Sequence, residues 1–247
     1  MPAARPAVLA AAVLAAAGAA VWAQPPPLAR LLARQHRVVV HVPTAVRALA
    51  ITVDDGPDPA LTPRLLEVLG AHAARATFFV LGSRVEAHPA VVRAVAEAGH
   101  EVGNHGWDDA AAVLSSGHAF RRDLERTHEA VLRATGARPV LYRPGSGWVR
   151  PGQLRDAAEL GYTTVLGSVA VRDDEVRDVE RAVRFVLRRV RPGSVLVLHE
   201  GLASRAGVVP LLERLLPELA RRGYRTATVS ELLTSAQRDP TAQRSIS

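Results

Sequence analysis

Ala48-Leu49-Ala50-Ile51-Thr52-Val53-Asp54-Asp55-Gly56-Pro57 sets an apolar, β-branched run against two adjacent carboxylates and a turn pair. The run is short and carries no charge, the pattern of a strand buried on both faces. Asp54 and Asp55 then repel each other at its end. A metal ion and a nearby cation would keep both ionised. A turn that caps a helix also uses Asp, but one suffices for that role, so the pair points to chemistry.

Further runs of the same kind recur along the chain: Ala76–Leu81, Glu101–Asn104, Val140–Tyr142, Thr163–Leu166, Ser194–Leu198 and Thr226–Val229. Between them lie amphipathic helical stretches with clear punctuation. Thr62 and Pro63 form an N-cap and first-turn pair ahead of Leu65, Leu66 and Leu69. Pro89 opens a helix that Gly99 closes, Asp178 caps another, Val208–Leu219 carries an apolar face, and Ser230 caps a last short helix. Strands alternating with helices imply an α/β fold: a single-domain distorted (β/α) barrel of about seven parallel strands. In such folds the chemistry gathers where strands end and loops begin.

Ionisable residues do follow the strand ends. Asp54-Asp55 come after the first strand, His105 to Asp109 after the third, Arg143 after the fourth, Arg172-Asp173-Asp174 after the fifth and His199-Glu200 after the sixth. His105 and Asp109 stand four residues apart, so one helical turn would put both on one side. With Asp55 they make an N,O,O ligand set that leaves positions open for water and substrate, as a hydrolytic metal site requires. His199, leaving a buried strand, is placed to act as an acid or base.

Composition narrows the partners. All 31 basic residues are Arg, the net charge is +7, and aromatic residues make up 4% of the chain. The Arg residues form no stripe and no known reader motif, so no nucleic-acid partner is expected. There is no Cys, which excludes disulfides, thiolate zinc sites and Cys nucleophiles. The uncharged run from Ala7 to Trp22, with Val21 and Ala23 before Gln24, has the form of an export signal. Residues 1–23 are therefore expected to be a signal peptide or an N-terminal membrane anchor, a possible tether, and Pro25-Pro26-Pro27 stiffens a linker over 24–37.

Longer matches appear between Ala48 and Leu233. Thr52-Val53-Asp54-Asp55-Gly56-Pro57, Ala76-Thr77-Phe78-Phe79-Val80 and Gly99-His100-Glu101-Val102-Gly103-Asn104-His105 occur in the order and form of motifs of the NodB-homology polysaccharide deacetylases, carbohydrate esterase family 4, which the chain resembles. The resemblance implies a polysaccharide deacetylase domain over 38–236, followed by a polar tail over 237–247. It implies Asp54 as catalytic base, Asp55 and His105 as metal ligands, Arg143 as the group that orients Asp54, and His199 as catalytic acid paired with Asp173. The family usually carries a second His where this chain has Asp109, with Asp108 as fallback. That exchange hardens the site: zinc is expected first, with manganese, iron, cobalt or nickel admitted.

In the third motif, Arg143-Pro144-Gly145-Ser146-Gly147, Ser146 takes the place of a Tyr. The resemblance implies that the Ser146 N–H faces the oxyanion, that Trp148 refills part of the groove, and that Leu198 or Leu196 lines the acetyl pocket. The expected activity is metal-dependent removal of N-acetyl groups from a cell-wall or extracellular N-acetylhexosamine polymer, such as peptidoglycan, a chitin-like polymer or an exopolysaccharide, by an exported monomer. An O-acetyl glycan esterase and a catalytically silent carbohydrate-binding relative are the alternatives.

Overall fold

A computed structural model describes residues 38–109, 112–147, 149–171 and 178–238. The expected leader and linker, Trp148, Asp173 and most of the polar tail lie outside the described residues. Among the described residues nine strands form one sheet: β1 (Val38–Val39), β2 (Ala48–Gly56), β3 (Ala76–Val80), β4 (Glu101–Asn104), β5 (Leu141–Tyr142), β6 (Thr163–Val165), β7 (Val169–Ala170), β8 (Val195–His199) and β9 (Arg225–Ala227). Their order is β1-β6-β5-β4-β3-β2-β8-β7, with β9 also paired to β2, and every ladder is parallel. All seven strands expected from the sequence are present. β1 and β7 are too short to leave a pattern, and they exist because neighbouring backbone offers them partners.

Eight α-helices connect the strands among the described residues: α1 (Leu61–Ala71), α2 (Gly82–Ala87), α3 (Pro89–Glu97), α4 (Gly117–Thr135), α5 (Pro151–Glu159), α6 (Val179–Arg189), α7 (Val208–Arg221) and α8 (Val229–Gln237). Asp178 caps α6 by accepting the Arg181 N–H at 2.9 Å. Two expected caps differ. α1 begins at Leu61, where Asp58 Oδ1 accepts the N–H groups of Ala60 and Leu61. Thr62 is drawn away to a buried carboxylate on β8's flank. At α8 the cap is Thr228, in a reciprocal box with Glu231, while Ser230 bonds Glu101. In both cases a tertiary partner outcompetes the local one.

β2 is the centre of the sheet, and all nine of its residues are buried. Its side chains alternate between two cores. Leu49, Ile51 and Val53 join a cluster with α1, α3, α4, α6 and α7 on the outer face. Ala48 and Ala50 join Phe79, Leu141, Val165 and Val195 inside the curl. On α7, Val208, Leu211, Leu212, Leu215 and Leu219 are all essentially buried. Each such side chain stabilises the fold by roughly 1.5–3 kcal/mol. The sheet curls so far that Arg143, the residue just past β5, meets Asp54 on β2, three places away in strand order, across the interior.

The base of the curl is closed mainly by backbone, with His41 Nε2 also bonded to Pro192 O at 2.8 Å. His41 bridges to Ser194, and Val42 N–H donates to Gly193 O at 2.9 Å. Gly193 has φ +81°, and a Cβ there would lie 1.7 Å from Val42 O. At the other end of β8, Glu200 is fully buried and accepts the Thr62 hydroxyl at 2.5 Å. Its second oxygen lies where a Cβ on Gly56 would be, so the turn after Asp55 needs glycine. Burial raises the Glu200 carboxyl to about 8, so it stays neutral in the fold at pH 7.

Two stability measurements check these contacts. Gly193→Ala should lower the melting temperature at least twice as much as Gly161→Ala. The latter has φ +88° with open space around it and meets only the left-handed backbone cost of roughly 1–2 kcal/mol. In the unfolded chain Glu200 ionises near the ordinary 4.5, whereas in the fold it holds its proton to about 8. Wild type should therefore lose stability relative to Glu200→Gln as pH rises from about 4.5 to about 8, by an amount on the order of a few kcal/mol. Denaturant titrations across that window read the difference.

Candidate active site

The end of β2 breaks its own alternation. Asp54 still pairs in register with Phe79 on β3 and His199 on β8. A bulge then falls between Asp54 and Gly56, and Asp55 adopts φ +67°. Regular alternation would send consecutive side chains to opposite faces. The left-handed residue turns Asp55 back, so both carboxylates serve the same mouth of the curl. Asp tolerates this conformation better than most residues, at a cost of order 1–2 kcal/mol.

Asp54 meets Arg143, which is 1% exposed. Arg143 Nη1 donates to Asp54 Oδ1 and to Thr52 Oγ1, each at 2.6 Å, and Nε donates to Val165 O at 3.1 Å. The guanidinium carbon lies 4.2 Å from the centre of the Phe79 ring. The cation thus spans the barrel interior from β5 to β2. A buried pair of this kind is hard to break: losing one partner costs about 3–5 kcal/mol, because the other charge is stranded.

Asp55 meets His105 and Arg205. His105 Nδ1 lies 2.8 Å from Arg143 O. A carbonyl only accepts, so Nδ1 carries hydrogen, and Nε2 faces Asp55 Oδ1 at 3.1 Å. Arg205 Nη1 takes the other oxygen, Oδ2, at 2.7 Å and also donates to Glu200 O at 2.7 Å. Burial alone would raise the Asp55 carboxyl, but His105, His199 and Arg205 outweigh it and hold the group well below the usual carboxylate range. Burial likewise opposes charge on His105, yet Asp54 and Asp55 raise it above the ordinary imidazole value.

Asp55 Oδ1 and His105 Nε2 suit a divalent cation. Each donor bonds such an ion at about 2.0–2.2 Å, so two ligands at right angles on one ion stand about 3 Å apart, as this pair does. The His105 Nδ1–H bond to a carbonyl is the outer contact that fixes a metal-binding imidazole. Asp109 does not join the pair: it is exposed on the loop after β4, as is Asp108. Among the described residues no three His, Cys, Asp or Glu side chains are grouped to hold a metal. The expected helical turn from His105 to Asp109 is absent, since residues 105–109 run as loop and bends.

The remaining candidates divide. His199 ends β8, half-buried and close enough to act on Asp55. Ser146 lies in the short 3-10 turn Gly145–Gly147 just past β5. Leu196 and Leu198 are corrected: both are fully buried in the outer cluster against the helices, on the opposite face of β8 from Val195. Strand alternation forbids them the mouth that His199 serves. Beside His105 a cavity of about 80 Å³ is lined by Trp107, Asp108, Phe120, Asp123 and Tyr142.

Sequence reasoning did not find Arg205 and gave Thr52 and Glu200 no role of their own. Thr52 looks like any β-branched strand residue. Arg205 is the one charged residue in Gly201–Val209, a faint signal.

Comparisons with known proteins agree with this geometry. The family model for polysaccharide deacetylase matches residues 41–165. A peptidoglycan-N-acetylglucosamine deacetylase of Bacillus cereus is 38% identical over 201 residues, covering 79% of this chain and 92% of that one. A solved peptidoglycan N-acetylglucosamine deacetylase, in complex with an N-oxidanyl-benzamide, superposes with TM-score 0.79 at 30% identity over 81% of this chain and 94% of the other. A family 4 acetyl xylan esterase from Clostridium thermocellum, in complex with a cobalt ion, superposes with TM-score 0.71 at 30% identity over 76% and 90%. The sheet order, the paired carboxylates at its mouth and these matches together place the chain in the polysaccharide deacetylase family of hydrolases.

Proposed function

We propose that this chain removes N-acetyl groups from an N-acetylhexosamine polymer of the cell wall, with peptidoglycan as the first substrate. The observation that carries this is the pairing of two adjacent carboxylates with different partners at one mouth: Asp54 with Arg143, Asp55 with His105. Relatives with peptidoglycan in their names support the polymer. Action on a wall polymer also supports export, which is what residues 1–23 lead one to expect. No helix among the described residues is long and apolar enough to cross a membrane.

In this reading Asp55 and His105 hold a divalent ion, zinc first, with manganese, iron, cobalt or nickel as alternatives. A divalent ion held there would supply polarisation of the acetamide carbonyl and a lowered pKa for the attacking water. Asp54 takes the proton from the attacking water, and the Arg143 hydrogen bond aims its carboxylate. The Ser146 N–H faces the carbonyl oxygen as charge develops there. His199 gives its proton to the departing amine, so the C–N bond breaks to acetate and a free amino sugar; Asp173 is its partner only by the family resemblance. An acetate ester needs that proton less. The resemblance to an acetyl xylan esterase makes O-acetyl glycans the second substrate class to test.

Asp54→Asn should lower acetate release from N-acetylated peptidoglycan by about 10²–10⁴-fold, the usual contribution of a general base, while cobalt binding measured by calorimetry persists. Turnover retained at wild-type level would remove Asp54 from the reaction. His105→Ala should weaken cobalt binding by more than about 100-fold. Asp109→Ala, altering an exposed carboxylate outside the pair, should change it by less than about fivefold. A large loss for Asp109→Ala would instead show the loop folding inwards to supply a third ligand.

A further inference from the structure

Arg205 closes the 3-10 turn Ala203–Arg205 that follows β8. Its side chain is 20% exposed, and Nη1 bridges Asp55 Oδ2 and Glu200 O, both at 2.7 Å. Asp55 therefore has neither oxygen idle: Oδ2 belongs to Arg205 and Oδ1 faces His105. A cation sharing His105 Nε2 would have only Oδ1 to bind. Both carboxylates already face an arginine before any ion arrives. Asp54 and Asp55 contribute two negative charges, and Arg143 and Arg205 contribute two positive ones. Neither guanidinium can discharge itself at physiological pH.

We infer that Arg205 is a positioning residue that holds Asp55 as a single-oxygen donor and keeps the affinity of the Asp55–His105 pair for divalent cations low. The inference rests on the proposal that this pair holds such an ion. Its physical basis is Coulombic. A guanidinium on the same carboxylate repels an incoming dication and withdraws electron density from the donor oxygen. At a few Å and surface-like dielectric, such a charge is worth a tenfold change in binding or more. The same contact aims the carboxylate and ties β8's end to the turn after β2, so it costs affinity while supplying order.

The test is calorimetric titration of the full chain with cobalt and zinc salts, alongside melting curves with and without metal. Arg205→Met and Arg205→Gln remove the charge at similar length, and both should bind cobalt about tenfold more tightly or better. Their melting temperatures should rise more on metal addition than wild type's does, since a ligand stabilises in proportion to how far its concentration exceeds Kd. Arg205→Lys keeps the charge and should stay near wild-type affinity. A purely structural role for Arg205 would not tighten binding when lost. Neutral variants that bind cobalt no better than wild type overturn this inference and leave the proposed function standing. A wild type that binds no divalent ion overturns both.

Discussion

The Arg143 guanidinium, fully buried inside the curl and bonded to Asp54, Thr52 and Val165, is the contact on which the site depends. Ending an apolar strand in two carboxylates is unfavourable unless each finds a counter-charge. Arg143 reaches Asp54 only because the sheet bends enough to bring β5 over β2. Phe79, in the inner core, offers its ring face to the cation. Curvature and ion pair imply one another.

The second constraint is directional. A strand cannot aim consecutive side chains at one place, yet the mouth needs both Asp54 and Asp55. The bulge and left-handed backbone at Asp55 solve this locally, and the surroundings hold the kink in place. Glu200, neutral and buried, fills the space against Gly56, and Arg205 clamps the turned carboxylate. Strain at Asp55 is offset by the packing and hydrogen bonds around it. The two acids then differ in partner and hence in role: one beside an arginine that cannot accept a proton, the other beside an imidazole able to share a cation.

Much of this architecture is written in local pattern. The short charge-free runs, the helix punctuation and the strand-end motifs suffice for an α/β curl with chemistry at one rim, because burial on both faces and capping are local demands. α4 leaves a weaker trace, since its polar face, rich in Arg and Glu, dilutes the apolar stripe of Phe120, Leu124 and Val131. Thr62 and Ser230 mislead as caps for a related reason: their hydroxyls serve Glu200 and Glu101, partners far away in the chain.

By itself the sequence determined the strands, the family motifs and the residues Asp54, Asp55, His105, Arg143 and His199 as a set at strand ends, since residue type and order suffice for that. Only the tertiary structure decided which of them meet. It paired Asp55 with His105 and left Asp109 exposed, because the segment after β4 does not coil into the turn that would bring a carboxylate round. It sent Leu198 to the outer core by strand parity. It also brought Arg205 onto Asp55 from 150 residues away, a contact with no local signature because it depends on how β8 and β2 end side by side.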